Sequence, residues 1–206
     1  FLSPTSLTTA SFIKIAILDR DGTLNEWGAQ GFIGSPDEWV AVPSALEAVS
    51  RLNRAGWHVV VATNQPGLGR GLFDVIDLNA VHAKMQRELA VVGARVEAVF
   101  FCPHAPDEDC QCRKPGAALF EQIADRYGAE GQEIWAIGSG VEHLQAGKAL
   151  GAHLVFVEST ARPESCGDAN LPEGSERYPD LEAVVNMLLP LSDGGAPAAD
   201  SAPASH

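Results

Sequence analysis

The chain has 206 residues, 46% of them hydrophobic, which is enough for one compact domain with a sizeable core. Its formal net charge of −13 disfavours nucleic-acid binding, because contact with the phosphate backbone requires basic patches. No apolar stretch approaches the length of a membrane helix, and the first residues lack the features of a signal peptide, so we expect a cytoplasmic protein without a membrane partner.

Apolar runs typical of strands alternate with amphipathic segments typical of helices. The predicted strands cover 13–18, 57–62, 96–101, 133–137 and 153–157. The predicted helices cover 44–55, 75–92, 117–127, 141–150 and 180–189. This alternation predicts an α/β fold, a Rossmann-like parallel sheet with helices on both faces. We expect a tail at 1–11, one folded domain at 12–189 and a disordered tail at 190–206.

The first predicted strand ends at a pair of aspartates, Asp19 and Asp21. Ligands bind in open α/β sheets at the carboxyl ends of strands, where this pair would lie. Two carboxylates so close repel each other unless a cation or a proton lies between them. The pattern indicates a magnesium site in which one carboxylate attacks and the other transfers a proton. The alternative is a solvated acidic turn.

The second predicted strand ends in Thr63, Asn64 and Gln65, followed by a glycine-rich loop that reaches Gly71. Such a loop presents backbone N–H groups and a hydroxyl to a phosphate. The alternative is a flexible polar loop. Parallel strands would place this loop beside Asp19, which favours the phosphate-binding interpretation.

Three cysteines and a histidine lie within eleven residues: Cys102, His104, Cys110 and Cys112. This set matches a closed structural zinc site, so we predict a small zinc-binding loop insert. The alternatives are chance clustering or a redox pair. Arg113 and Lys114 follow directly, and both are cations that a phosphate pocket requires. Cys166 stands alone and is interpreted as a bystander thiol.

These motifs together resemble those of the haloacid dehalogenase superfamily of phosphatases, whose four motif positions occur in order. The cysteine–histidine insert resembles that of the heptose-bisphosphate phosphatases and the related histidinol-phosphate phosphatases. The segment 35–39, the loop from Thr63 to Gly71 and the segment 102–104 favour the heptose branch. The similarity runs from about Ile13 to Leu189.

The resemblance implies a magnesium-dependent phosphatase that removes the 7-phosphate of a heptose 1,7-bisphosphate, with histidinol phosphate as the alternative substrate. Asp19 would form an aspartyl-phosphate, and Asp21 would act as general acid and then as general base. The implied substrate-binding residues are Thr63, Asn64, Gln65, Arg113 and Lys114. Magnesium would be held by Asp19, by the backbone carbonyl of Asp21 and by a carboxylate of the fourth motif. We expect a monomer whose partner is a small phosphosugar.

The fourth motif departs from the family pattern, which typically reads Gly-Asp-Ser/Lys-x-x-Asp. Here Ser139 replaces the metal-ligand aspartate, and His143 replaces the later one. A neutral hydroxyl is a poorer magnesium ligand than a carboxylate, although Glu142 offers a substitute through a water molecule. The sequence therefore leaves a second hypothesis, a catalytically weak relative that binds a phosphosugar or a partner. A zinc-ribbon module for nucleic acid is disfavoured by the acidic charge.

Overall fold

The computed structural model describes residues 12–158 and 170–189. Within these ranges, six parallel strands form a sheet in the order β3-β2-β1-β4-β5-β6. The strands are β1 (Ile15–Leu18), β2 (His58–Asn64), β3 (Val99–Cys102), β4 (Ile134–Gly138), β5 (His153–Val157) and β6 (Glu176–Tyr178).

In the same described ranges, six α-helices connect or flank these strands. They are α1 (Pro43–Arg54), α2 (Pro66–Gly69), α3 (Val75–Val91), α4 (Ala118–Tyr127), α5 (Val141–Ala149) and α6 (Leu181–Leu188). The longest, α3, starts with a reciprocal cap, because Asp74 and Asp77 each accept a hydrogen bond from the other's backbone N–H. None of the described helices combines the length and the apolarity that crossing a membrane would take.

All four residues of the central strand β1 are buried. Because side chains alternate along a strand, β1 is therefore covered on both faces of the sheet. Ala16 and Leu18 join a core cluster with residues of α1, α3 and α6. Ile15 and Ile17 join a second cluster with Phe120 of α4 and with residues of α5. Helices therefore cover both faces of the sheet, and the predicted α/β fold is confirmed.

Two elements differ from the sequence-based prediction. The segment Pro66–Gly69 was expected to be a loop, but it forms the short helix α2, with proline at the first helical position. Strand β6 was missed because its three residues, Glu-Arg-Tyr, are polar at an edge of the sheet and show no apolar pattern. The segments 1–11 and 190–206 and Cys166 lie outside the described residues, so the domain boundaries stay a prediction.

The strand order places a crevice at the carboxyl ends of β1 and β4. The chain runs outward from β1 to β2 and β3, and then returns to the other side of β1 to form β4. Such a reversal separates the connections on the two sides, and it is where α/β sheets bind ligands. Leu18, the last residue of β1, lies level with Val61 of β2 and Ile137 of β4. The polar residues that follow β1, β2 and β4 therefore meet at one edge.

Candidate active site

Asp19 leaves β1 at the floor of this crevice and is 9% exposed. Its Oδ1 accepts hydrogen bonds from the backbone N–H of Arg20 at 3.1 Å and from Nζ of Lys114 at 3.0 Å. Burial, the largest single influence, would raise the pKa of Asp19, but the charge and hydrogen bond of Lys114, together with His143 and the backbone N–H of Arg20, hold that pKa below its usual value. The carboxylate is therefore ionised. Its Oδ2 has no hydrogen-bond partner among the described residues.

Lys114 is buried, and each of its three ammonium hydrogens has an acceptor. Nζ contacts Asp19 Oδ1 at 3.0 Å, the carbonyl oxygen of Ala62 at 2.7 Å and Nδ1 of His143 at 3.0 Å. A lysine ammonium has three donors and no acceptor, so this arrangement uses all of them. The ammonium is therefore held in one place, directly beside Asp19.

His143 lies on the first turn of α5 and is fully buried. Its Nε2 is 2.9 Å from the carbonyl oxygen of Ile17, so Nε2 carries the proton and Nδ1 accepts from Lys114. Burial, reinforced by the charge of Lys114, lowers the pKa of His143 to about 3. The residue that replaces the second aspartate of the fourth motif is thus a neutral acceptor.

The Asp21 side chain is held by Arg20 and Asn25. Arg20 donates from Nε at 2.8 Å and from Nη2 at 3.2 Å, and Asn25 donates from Nδ2 at 3.0 Å. Arg20 is completely buried, and its Nη1 donates to Nε2 of His82 at 3.2 Å. Burial and the charge of Arg20 lower the pKa of His82 to about 4, so this histidine is a neutral acceptor.

Sequence reasoning missed the supporting roles of Arg20 and His82. The position of Arg20 between Asp19 and Asp21 could have indicated that it binds a carboxylate of the site. No pattern in the sequence linked His82 to Arg20, which lies 62 residues earlier in the chain.

Ser139 follows β4 and is also fully buried. Its Oγ donates a hydrogen bond of 3.0 Å to the backbone carbonyl of Asp21, the group that the resemblance assigned to magnesium. Gly22 has a φ of +79°, and a side chain there would press against Ser139 Oγ. The hydroxyl therefore packs directly on the turn that carries the paired aspartates.

The polar residues at the carboxyl end of β2 either line the cleft or support it. Thr63 lines the cleft and accepts a hydrogen bond of 3.1 Å from Gln65, which is buried and does not line it. Asn64 donates to the carbonyl of Lys114 and accepts from its N–H, both at 3.0 Å. The amide of Asn64 therefore fixes the backbone of Lys114.

The cleft between these groups has a volume of about 230 Å³. It is lined by Asp19, Asp21, Trp27, Gly31, Thr63, Asn64, Pro66, Lys114, Gly140, Glu142 and His143. Of these, Trp27 and Gly31 carried no signal in the sequence. The predicted binding residue Arg113 is not among them. Its guanidinium instead donates to the carbonyl oxygens of Ala105 and Glu108, both at 2.8 Å.

The cysteine–histidine cluster lies beside this cleft, at the end of β3. The four candidate ligand atoms all lie within 4.8 Å of one another. Cys102 Sγ is 3.7 Å from Cys110 Sγ, and His104 Nδ1 is 3.2 Å from Cys112 Sγ. Tetrahedral zinc–thiolate sites, with Zn–S of about 2.3 Å, need sulfurs roughly 4 Å apart. The donor set and the Cys102–Cys110 spacing therefore fit a zinc ion, whereas Cys102 Sγ and Cys112 Sγ, which are 3.0 Å apart, would have to move apart to bind it.

The chain is similar to phosphatases over most of its length. A family model described as haloacid dehalogenase-like hydrolase matches residues 14–151. The D-glycero-β-D-manno-heptose-1,7-bisphosphate 7-phosphatase of Bordetella bronchiseptica is 45% identical over 177 residues, which are 86% of this chain and 98% of the relative. The enzyme of the same name from Pseudomonas aeruginosa is 40% identical over 176 residues, 85% of this chain and 98% of the relative.

Solved structures give the same result. The D,D-heptose 1,7-bisphosphate phosphatase of B. bronchiseptica, crystallised with magnesium and phosphate, matches with a TM-score of 0.81 at 45% identity, covering 86% of this chain and 98% of that one. The Burkholderia thailandensis phosphatase matches with a TM-score of 0.67 at 41% identity, over 86% of this chain and 99% of that one. The family resemblance in the motifs is therefore confirmed: the chain belongs to the haloacid dehalogenase-like hydrolases.

Proposed function

We propose that this phosphatase removes the 7-phosphate of D-glycero-D-manno-heptose 1,7-bisphosphate. The observation that carries the proposal is the ionised, buried Asp19, paired with Lys114 at the carboxyl end of the central strand. The 45% identity to a phosphatase of this specificity, over nearly its whole length, supports the substrate. The names of the relatives make the β anomer the first one to test.

Asp19 has the geometry of a nucleophile. Lys114 and the backbone N–H of Arg20 both bind Oδ1, which holds the carboxylate in place for attack on phosphorus. An oxygen–phosphorus bond then forms on the Asp19 carboxylate while the bond to the sugar oxygen breaks. Phosphoryl transfer requires charge neutralisation around the transferring oxygens, and the ammonium of Lys114 provides it next to the attacking group.

Asp21 is proposed to transfer the protons. In the first step it protonates the departing sugar oxygen, and in the second it accepts a proton from the water that attacks the aspartyl-phosphate. That water cleaves the bond between the Asp19 carboxylate and phosphorus and releases inorganic phosphate. Arg20 and Asn25 hold the side chain of Asp21, which is 17% exposed and lines the same cleft as Asp19.

Magnesium is the proposed cofactor, and the cleft offers the hard oxygen donors that it prefers. Asp19 Oδ2 has no partner among the described residues, and the Asp21 carbonyl oxygen lies on the adjoining turn. Gly140 leaves space beside Oδ2, because a methyl group added to Gly140 would lie 3.0 Å from it. Magnesium needs only one or two protein carboxylates when phosphate oxygens and water complete its shell. When bound, it would neutralise charge on the phosphoryl oxygens.

Zinc is the proposed ligand of Cys102, His104, Cys110 and Cys112. A closed site of four protein ligands has no open position for catalysis, so its role would be to shape the loop. That loop leads directly into Arg113 and Lys114, and the guanidinium of Arg113 is bound to loop carbonyls. The monomeric state and the cytoplasmic location stay predictions.

The neutral Ser139 and His143 favour a second candidate function, a relative that binds the phosphosugar but turns it over slowly. Phosphate release from heptose 1,7-bisphosphate and from histidinol phosphate, measured while magnesium is titrated, separates the candidates. We expect magnesium-dependent turnover with a clear preference for the heptose. A preference for histidinol phosphate would overturn the proposed substrate. Binding of the heptose bisphosphate without turnover at any magnesium concentration would establish the second candidate.

A further inference from the structure

The fourth motif supplies no anion at the two positions where the family has aspartate. Ser139 is neutral, and its hydroxyl donates a hydrogen bond to the backbone carbonyl of Asp21. His143 is neutral, and both of its ring nitrogens form hydrogen bonds, one with Lys114 and one with the carbonyl of Ile17. A divalent cation next to Asp19 would therefore lack the second carboxylate that the family provides from this motif.

Glu142 lies between these two positions in the sequence, on the first turn of α5. It is exposed, and it lines the same cleft as Asp19 and Asp21. Within the described residues its carboxylate has no hydrogen bond and no ion pair. Glutamates at such sites are usually only solvated, so the position of Glu142 relative to Asp19 decides whether it has a further role.

Gly140 places the two carboxylates around one point. A methyl group added to Gly140 would lie 3.0 Å from Oδ2 of Asp19 and 3.5 Å from Oε2 of Glu142. These are the oxygens that carry no other bond in the described part of the chain. The family pattern has serine or lysine at this position, and such a side chain would occupy the space within reach of both oxygens. Glycine leaves that space open.

We infer that Glu142 supplies the second carboxylate of the divalent-cation site, facing Asp19 across Gly140. The inference rests on the proposed magnesium-dependent function and names the residue that compensates for Ser139. Two differences from the family pattern then have one explanation: the aspartate is lost at Ser139 and the side chain is lost at Gly140 because Glu142 supplies the carboxylate. Carboxylate oxygens without another partner are the donors that Mg²⁺ selects.

The test measures metal binding directly, without substrate, with Mn²⁺ as a paramagnetic substitute for Mg²⁺. Free Mn²⁺ is followed by electron paramagnetic resonance as the protein is titrated, for the unchanged chain and for Glu142→Gln. Even groups that only support metal ligands change affinity by about 10–100-fold when removed, so we expect Glu142→Gln to weaken Mn²⁺ binding at least about tenfold. The control is Glu26→Gln, which removes an exposed carboxylate that does not line this cleft.

Two further variants test the geometry. Ser139→Asp in the Glu142→Gln background restores a carboxylate at the family position and should recover Mn²⁺ affinity. Gly140→Ala should weaken binding by filling the space between the oxygens, and Gly140 has a φ of −97°, which alanine adopts without strain. Circular dichroism confirms that each variant is folded.

The inference is overturned if Glu142→Gln and the unchanged chain bind Mn²⁺ equally, if Glu26→Gln has the same effect as Glu142→Gln, or if the unchanged chain binds no Mn²⁺. Failure of the proposed function is a separate outcome, recognised when heptose 1,7-bisphosphate yields no phosphate even though Mn²⁺ binds through Glu142.

Discussion

At the scale of single residues, the cleft is organised around one buried ion pair. Asp19 and Lys114 lie 3.0 Å apart, and the third member of the group, His143, is neutral. Removing one member of such a pair leaves the other charge uncompensated in a buried site. Substitutions here are therefore expected to affect stability as well as chemistry, and experiments have to separate the two.

Asp19→Asn should abolish phosphate release, because the amide has nearly the same shape but cannot attack phosphorus. Lys114 would lose its counterion, so we also expect a lower melting temperature. Phosphate release and thermal unfolding are measured together with Asp125→Asn, an exposed aspartate of α4 that serves as the control. A folded Asp19→Asn variant that retains more than a few per cent of the activity would exclude the aspartyl-phosphate mechanism.

Asp21→Asn should lower turnover of the heptose substrate by about 10²–10⁴-fold, the usual contribution of general acid–base catalysis. For a substrate whose leaving group needs no proton, the substitution should slow the first step, formation of the aspartyl-phosphate, much less. With 4-nitrophenyl phosphate we expect a rapid burst of nitrophenolate. Slow turnover should follow, because hydrolysis of the aspartyl-phosphate lacks its general base. Equal loss in both steps with both substrates would argue against Asp21 as the proton donor.

At the scale of elements, the loop between β3 and α4 connects the cysteine–histidine cluster to the cleft. Cys102 and His104 lie at its start, and Cys110 and Cys112 lie shortly before Lys114. Helix α2 packs closely on this loop, since a side chain at Gly69 would collide with the backbone of Ala105. Asn64, at the end of β2, then fixes the backbone of Lys114 with two hydrogen bonds. The backbone of Lys114 is therefore held by the loop and by the end of β2.

Cys112→Ser should remove zinc and lower phosphatase activity, because the loop that carries Lys114 would lose its tetrahedral anchor. Elemental analysis of protein purified without added metal measures the zinc content, and phosphate release measures the consequence. The control is Cys166→Ser, which changes a thiol away from the cluster in the sequence. Folded, active wild-type protein that contains no zinc would rule out the proposed site.

At the scale of the whole molecule, the sheet order brings distant segments to one edge. Asp19, Lys114 and His143 come from three different connections, yet their side chains are in direct contact. Their burial also links the folded state to pH. The buried His143 and His82 have pKa values of about 3 and about 4 in the folded protein, against 6.5 for an unperturbed histidine.

Stability should therefore fall as the pH is lowered from 7 to 5. In this range the unfolded chain takes up protons on both histidines and the folded protein does not, so acid favours unfolding. The loss stops once the pH is below the folded pKa. For the fully buried His143 the effect between these two pH values is about 2 kcal/mol. Urea unfolding at both pH values measures it, and His143→Asn should reduce the difference. An unchanged pH dependence in that variant would contradict the assignment.

The sequence by itself determined the parallel α/β sheet and the segments that carry chemistry. Apolar runs alternating with amphipathic ones are a local property of the chain, and a buried parallel strand is recognisable without knowledge of its neighbours. The ends of these runs marked Asp19, Thr63 and Ser139 as residues at one edge of the sheet. Spacing alone likewise brought Cys102 and Cys112 into one candidate metal cluster.

Only the tertiary structure decided what these residues contact. The amide of Asn64 turned out to bind the backbone of Lys114, 50 residues away, and Arg113 was found to bind loop carbonyls outside the cleft. The neutral state of His143 depends on burial and on Lys114, and neither is visible in the local sequence. Hydrogen bonds and pKa values are set by atoms that come together after the chain folds. The distance between Asp19 and Glu142 across Gly140 is likewise a property of the folded crevice and not of either segment alone.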